Sequence, residues 1–226
     1  MGSKSSVQRS PGPSLPPQLR PIAAVDICYC SEQPVGFQIT HQMYPSRFIV
    51  RDPVTGEICY QKERKLLSTR QTLVGMGGDS DIKKNRSAPI ANAKKAALSS
   101  NFGVRFGDDD AGDELFRIYA KMPRVDRVDL RVYLIDCLTS ERCLMGFEGN
   151  WRLHEGSIWL QRGATGTRES VAKVWPDATD SRREVYNLEI APNVDSVMML
   201  VVCMVLDERL RGYRLVTSGP KRLGTL

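Results

Sequence analysis

A run of ten consecutive apolar residues near the end of the chain, Val197 to Leu206, constrains the fold more than any other feature. A surface helix would show a polar stripe at a period of 3.6 residues, and this run has none. The run is also too short to span a bilayer, which takes roughly 20 apolar residues. It must therefore be surrounded by protein on every side.

The residues flanking this run favour an α-helix. Asn193 and Asp195 are both able to cap the first turn, and Gly212 stands where a C′ residue would end the helix. Arg209 and Arg211 fall in the last predicted turn, where cations complement the helix dipole. A buried strand is the alternative, because a continuous run rich in Val and Leu fits one too. Length, methionine content and caps predict a helix over about residues 194–211.

Short alternating segments make up most of the chain before this helix. They are rich in Val, Ile, Tyr or Trp, and clusters of Gly, Pro, Asp or Ser separate them. The segments are 37–40, 46–51, 57–61, 71–75, 102–107, 114–121, 128–136, 142–147, 157–161, 171–175 and 184–190. About a dozen short strands at regular spacing predict a barrel or a sandwich.

Composition divides the chain into three parts. Residues 1–20 are rich in Ser, Pro and Gly and are predicted to form a disordered arm. Residues 21–213 are predicted to form one barrel domain, which is an ordinary size for an all-β fold. Residues 214–226 are predicted to be a short basic tail.

The arm begins with a pattern for N-terminal acylation. Gly2 and Ser6 fit M-G-x-x-x-[ST], which predicts myristoylation of Gly2; the alternative is an ordinary hydrophilic N-terminus. One myristoyl chain gives only marginal membrane binding, so a second signal would be needed. Cys28 and Cys30 could accept palmitate, although the apolar residues before them favour packing in a first strand.

The second signal could be electrostatic, since the chain has a formal net charge of +6. Its densest basic cluster lies in the polar stretch 79–95, which we expect to be a solvated loop and edge. The cluster is a candidate patch for anionic lipid headgroups and comprises Lys83, Lys84, Arg86, Lys94 and Lys95. The alternative is a set of cations that simply face solvent.

The sequence offers no catalytic or metal-binding pattern. G-x-S-x-G, H-E-x-x-H and a complete phosphate loop are all missing, which predicts a protein that is not an enzyme and needs no cofactor. Cys28 and Cys30 are the only close cysteine pair, and the remaining soft ligands, His41 and His154, are remote in sequence. We therefore expect no metal site, and we expect both histidines at the surface or at strand ends.

Other partners and compartments are constrained as well. No nucleic-acid reading motif is present, and an aromatic content of 7% offers no obvious stacking platform, so no nucleic-acid partner is expected. Residues 1–20 lack the apolar core of a secretory signal, and no transmembrane segment is predicted. A cytoplasmic protein with reduced thiols is the expectation, with peripheral membrane attachment if Gly2 is acylated.

Several motifs resemble the LURP-one-related (LOR) domain. In that family a P-x-V-D step leads into an apolar helix that ends in L-D-E, as do residues 192–195 and 206–208 here. Similar stretches occur in order upstream, at 48–52 with Gly56, at 65–70 and at 147–151. The chain departs from the family pattern at 69–71, where Thr-Arg-Gln stands for Leu-Arg-Asp, and at 101–102, where Asn-Phe replaces the usual tryptophan region.

The LOR family belongs to the Tubby C-terminal-like group, together with the phospholipid scramblases. The resemblance implies a closed antiparallel β-barrel of about twelve strands around a central apolar C-terminal α-helix. Met199, Val202 and Leu206 would then lie in the core of the barrel. With the lumen filled by the helix, any function belongs to the outer surface or the loops.

Two functions remain open at this stage. The first is a membrane-associated lipid- or phosphoinositide-binding adaptor, with an anionic membrane surface as its partner. The second is a soluble protein-interaction module of the LOR family, with an unknown protein partner and no lipid role.

Overall fold

The computed structural model describes residues 15–42, 46–64, 68–76, 88–96, 99–108, 112–124 and 126–217. Four of the predicted site residues, Gly2, Lys83, Lys84 and Arg86, lie outside these ranges.

Twelve antiparallel strands form a closed barrel, because β1 pairs with both β2 and β12. The strands are β1 (Val35–Gln42), β2 (Arg47–Arg51), β3 (Ile58–Glu63), β4 (Arg70–Gly75), β5 (Ala88–Lys95), β6 (Asn101–Phe106), β7 (Glu114–Arg124), β8 (Arg127–Ile135), β9 (Arg142–Asn150), β10 (Glu155–Arg162), β11 (Arg168–Pro176) and β12 (Val185–Ile190). The predicted fold class is confirmed. One assignment was wrong: β5 occupies part of the stretch that we expected to be a loop.

Alternation along each strand separates the core from the outer wall. In β7, Phe116, Ile118 and Ala120 are buried, whereas Arg117 points outward. The facing residues of β8 follow the same order, so that Phe116 lies opposite Leu134 inside the barrel. Closure pairs every strand on both sides, which removes the exposed sheet edges that would otherwise template aggregation.

The helix α1 (Ser196–Thr217) fills the barrel. All residues from Val197 to Leu206 are fully buried, including Met199, Val202 and Leu206. Full burial of an aliphatic or Met side chain is worth roughly 1.5–3 kcal/mol relative to exposure, so this helix is a major part of the core. The predicted end was wrong, because the helix continues through Gly212 and includes the first residues of the expected tail.

The turn before α1 shows why the P-x-V-D step precedes the helix. Asn193 has a left-handed backbone (φ 63°), which Asn tolerates better than most residues. Val194 is buried, and Oδ1 of Asp195 accepts a 2.9 Å hydrogen bond from the amide of Met198 as an N-cap. The P-x-V-D step at 192–195 therefore turns the chain into the barrel and caps the first turn of α1.

An N-terminal segment, residues 15–30, packs against the end of the barrel at which α1 begins. This end, called here the helix-start end, also carries the turn 136–141 between β8 and β9. Leu15 is buried, the amide of Gln18 donates to Pro192 O (3.2 Å), and the amide of Ile22 donates to Asn193 O (2.8 Å). The expected disordered arm therefore does not extend to residue 20, since packing against the barrel is already present at Leu15.

The first strand proposed around Cys28 and Cys30 is not present. Ile27–Tyr29 form a single 3₁₀ turn, capped by Asp26, whose Oδ1 accepts from the amide of Cys28 at 2.9 Å. Cys28 is exposed as a result. In the part of the chain that the structure describes, no helix is both long enough and apolar enough to cross a membrane.

Candidate functional site

The interior of the barrel holds a cluster of polar side chains around one carboxylate, Asp207 of α1. Trp151 donates from Nε1 to Asp207 Oδ1 at 2.9 Å, and the Tyr186 hydroxyl donates to Oδ2 at 2.9 Å. Trp151 belongs to a 3₁₀ turn after β9 and Tyr186 to β12, and their rings touch with centroids 5.8 Å apart, so adjacent side chains of the wall hold the helix. These bonds satisfy groups that would be costly to bury alone.

Two histidines complete this cluster. Both stand at strand ends as expected, His41 next to the last residue of β1 and His154 directly before β10, but they are buried and do not lie at the surface. His41 Nδ1 lies 3.5 Å from Asp207 Oδ2, and His154 Nε2 lies 3.7 Å from Oδ1. The His154 ring stacks on Tyr186, with centroids 4.3 Å apart. Both distances allow charge interaction but exceed a good hydrogen bond.

Burial sets the protonation of this cluster. Burial alone would raise the pKa of Asp207, but charge interaction with His41 and His154 and the hydrogen bond from Tyr186 lower it below its ordinary value. Burial lowers the pKa of His41, and Asp207 only partly offsets this. The carboxylate is therefore ionised in the fold. Because Asp207 and His154 are each only 1% exposed, no external ligand reaches them, and the cluster holds the helix in place.

The predicted headgroup patch lies only partly within the described residues, which include Lys94 and Lys95. Lys94 and Lys95 are the last residues of β5, whereas Lys83, Lys84 and Arg86 precede its first residue, Ala88. At about 3.3 Å per residue, the two ends of this strand are roughly 20 Å apart. Lys94 and Lys95 thus lie at the end of the barrel opposite to the one where the 76–87 connection attaches. Lys83, Lys84 and Arg86 lie outside the described residues, and the patch stays a prediction.

A groove on the outer wall is a better candidate for a binding site. It runs over β6–β9 and encloses about 560 Å³, within the range of small-molecule sites. The strand register creates it: Arg117 lies opposite Tyr133, Tyr119 opposite Arg131, and Ile135 opposite Arg142. Its lining is Asn101, Glu114, Leu115, Phe116, Arg117, Tyr119, Arg131, Tyr133, Leu134, Ile135, Arg142 and Cys143.

Three arginines give the groove its positive charge. Arg117 pairs with Glu114 (Nη2 to Oε1, 2.8 Å), and Arg131 pairs with Asp129 (Nε to Oδ1, 3.3 Å) while its guanidinium lies 5.8 Å from the Tyr119 ring centroid. A hydrogen bond with Tyr133 and the charge of Asp129 raise the pKa of Arg131. Arg142 is exposed and forms no ion pair within the residues described.

Apolar surface lies directly beside these charges. Tyr133 and Ile135 are about half exposed, at 51% and 56%, which is high for large apolar side chains on a barrel wall. Such a groove suits a molecule with an anionic group next to an apolar portion. Sequence reasoning missed this site, because its arginines lie on three strands and only the register brings them together. The available signal was that Tyr133 and Ile135 occupy the outward positions of a strand whose alternate residues, Val132 and Leu134, are buried.

Among the residues described, no group of three or more His, Cys, Asp or Glu side chains is arranged to hold a metal ion. The arrangement at the groove supports binding through charge and apolar contact.

Comparisons with known proteins agree with the fold. Residues 37–207 match the family model described as LURP-one-related. The X-ray structure of a protein from Arabidopsis thaliana superimposes with a TM-score of 0.56 at 19% identity, covering 82% of this chain and 97% of that chain. At this identity the similarity concerns the fold alone. No curated protein matches the chain significantly.

Proposed function

The chain belongs to the LURP-one-related family, and from this premise we propose that it is a non-enzymatic, membrane-associated adaptor that binds anionic lipid headgroups, phosphoinositides among them. The observation that carries the proposal is the groove of Arg117, Arg131 and Arg142 beside half-exposed apolar side chains on the outer wall. The helix already occupies the lumen, which leaves the outer surface for ligands.

The chemistry of the groove fits a phospholipid headgroup. Arginine presents several N–H donors in a planar fork and binds phosphate oxygens bidentately. Arg142 has no competing carboxylate among the described residues, and Arg117 and Arg131 would exchange or share their present partners. Tyr133 and Ile135 would face the apolar part of the lipid.

Acylation of Gly2 supplies the membrane tether in this proposal, and it places the protein on the cytoplasmic side of a membrane. Because one myristoyl chain binds only marginally, the headgroup contact provides the second signal. Positive charge is also added by Lys83, Lys84, Arg86, Lys94 and Lys95, but the groove, rather than these five residues, would hold the headgroup.

Co-sedimentation with vesicles tests the proposal. Acylated protein should bind phosphatidylcholine vesicles that contain phosphoinositide more tightly than phosphatidylcholine alone. The double substitution Arg131→Glu with Arg142→Glu should weaken this binding about tenfold or more, through loss of two charge-assisted contacts. Gly2→Ala should weaken binding to both vesicle types.

The matched control is Arg168→Glu, which reverses an exposed arginine on β11, outside the groove. It changes the net charge by half as much and should leave most of the binding intact. A loss of binding free energy in the single control that is half of the loss in the double variant would reduce the effect to net charge. The proposal would be refuted if vesicle binding of the wild-type protein did not depend on lipid charge and if Gly2→Ala did not change binding.

A soluble protein-interaction module is the second candidate, because half-exposed Tyr133 and Ile135 would also suit a protein surface. A stable protein partner on pulldown, together with a cytosolic pool unchanged by Gly2→Ala, would favour it.

A further inference from the structure

Exposed apolar side chains gather at the helix-start end of the barrel, next to the groove. Ile135 ends β8 and is 56% exposed, Leu138 in the following turn is 50% exposed, and Ile27 of the 3₁₀ turn is 43% exposed. Leu19 in the N-terminal segment is fully exposed. We call these four residues the apolar rim. Single exposed apolar residues are ordinary, but a group at one end indicates a contact surface.

Contacts in the main chain bring the rim residues together. The amide of Cys137 donates to Ala23 O at 2.9 Å, and the amide of Ala23 donates to Asp136 Oδ1 at 3.3 Å. These hydrogen bonds therefore join the turn that carries Leu138 to the segment that carries Ile27. The Leu19 side of this segment is held by Arg162, whose Nη2 donates to Arg20 O at 2.8 Å.

Carboxylates near the rim are largely occupied by the backbone. Asp136 accepts from Ala23 and Leu138 amides and from the Thr139 hydroxyl. Asp195 accepts from three amides, those of residues 24–26, and Asp26 caps the 3₁₀ turn. Arg20 and Arg142 are exposed at the same end. The surroundings of the rim therefore carry charges of both signs, since Asp26 and Glu169 are exposed at this end as well.

The chain reaches this end from the N-terminus. Leu15 packs against β12, where its amide donates to Glu189 Oε1 at 3.2 Å. Gly2 precedes it by thirteen residues, a span of at most about 45 Å at full extension. An acyl chain on Gly2 would tether the domain to the bilayer and would leave a second, reversible contact to be made by the domain itself.

We propose that the helix-start end is the membrane-facing surface of this protein, and that Leu19, Ile27, Ile135 and Leu138 insert into the interfacial region of the bilayer. The proposal rests on the proposed membrane function and adds the orientation of the barrel. In this orientation the groove opens beside the inserted residues, so that a headgroup enters it from the bilayer surface. Leu and Ile gain free energy on leaving water whatever the lipid charge, so this contact does not depend on anionic lipid.

The test uses N-myristoylated full-length protein and vesicles of phosphatidylcholine, with and without phosphatidylserine. The double substitution Ile27→Asp with Leu138→Asp, two rim residues outside the groove lining, should lower the partition coefficient about tenfold or more on both vesicle types. Its thermal unfolding should match the wild type, because both side chains are half exposed. The control is Ala178→Asp in the β11–β12 turn, an exposed position at the opposite end of the barrel; its partitioning should stay near the wild-type value.

The outcomes separate the rim from the function itself. If the wild-type protein bound neither vesicle type, both the membrane function and the role of the rim would be refuted. Binding of the double variant at wild-type strength, with Gly2→Ala still deleterious, would overturn the rim alone. Loss of a protein complex in the double variant, with vesicle binding retained, would assign the rim to a protein partner and overturn the proposal.

Discussion

The indole Nε1 of Trp151 donates a 2.9 Å hydrogen bond to Oδ1 of Asp207, and so joins the barrel wall to the helix inside it. Phe147 packs edge-on against Trp151, with ring centroids 5.3 Å apart. The family-like stretch 147–151 and the L-D-E at the helix thus meet at one point. These motifs maintain the fold, which explains why they predict the barrel but name no ligand.

Asp207→Ala should lower the free energy of unfolding by about 3–5 kcal/mol, because it leaves Trp151 and Tyr186 with buried donors that lack an acceptor. Urea denaturation followed by fluorescence measures this. Asp207→Asn retains an acceptor and should cost less. Asp129→Ala, a partly exposed carboxylate on β8, is the control and should change stability by no more than about 0.5 kcal/mol. If Asp207→Ala lowered the free energy of unfolding by no more than Asp129→Ala does, Asp207 would not hold the helix to the barrel wall.

Met199→Ala should lower the free energy of unfolding by about 2–5 kcal/mol, since the fully buried side chain leaves a cavity among closely packed neighbours. Met199, Val202 or Leu206 changed to Asp should unfold the domain, because an unpaired charge cannot be accommodated there. Circular dichroism and thermal melting report both effects. Val54→Asp at the exposed β2–β3 turn should melt like the wild type. Wild-type stability of the core variants would refute the placement of the helix.

Asp195→Ala should detach the N-terminal segment from the barrel and weaken the start of α1. Its carboxylate accepts from the Met198 amide at 2.9 Å and from the Val25 amide at 2.7 Å, so both groups lose a buried partner. We expect a cost of about 2 kcal/mol or more. Hydrogen exchange should accelerate in residues 22–26. Asp26→Ala, which removes only the cap of the 3₁₀ turn, should leave that protection nearly unchanged.

Stability should decline in two stages as the pH falls. Burial lowers the pKa of His41 below its ordinary value of 6.5, so the unfolded chain takes up this proton first and stability is lost as the pH falls toward the folded pKa. Asp207, whose pKa in the fold lies below 3.8, loses its contribution only in stronger acid. Denaturation midpoints from pH 8 to pH 3 measure both stages. His41→Gln should flatten the first stage and keep the second; an unchanged first stage would contradict the assignment.

Local patterns predicted the elements whose formation depends on neighbouring residues. The apolar run at Val197–Leu206 and the alternating segments are visible in the sequence, since side-chain direction repeats every 3.6 residues in a helix and every 2 in a strand. Strand β5 was not predicted from the sequence, because its residues have little intrinsic preference for β-strands. It forms by pairing with both neighbours, as where Ala91 lies opposite Leu73 and Phe106.

The sequence by itself determined that the run Val197–Leu206 is buried on every side, because ten apolar residues without a polar stripe cannot face water, and that short strands in a barrel or a sandwich make up most of the chain before it. Only the tertiary structure decided what surrounds Asp207 and which arginines meet in the groove. His41, Trp151, Tyr186 and Asp207 are far apart in the chain, and strand register together with barrel closure sets their distances. The continuation of α1 past Gly212 belongs to the same class, since packing inside the barrel outweighs the local preference of one glycine for a helix end.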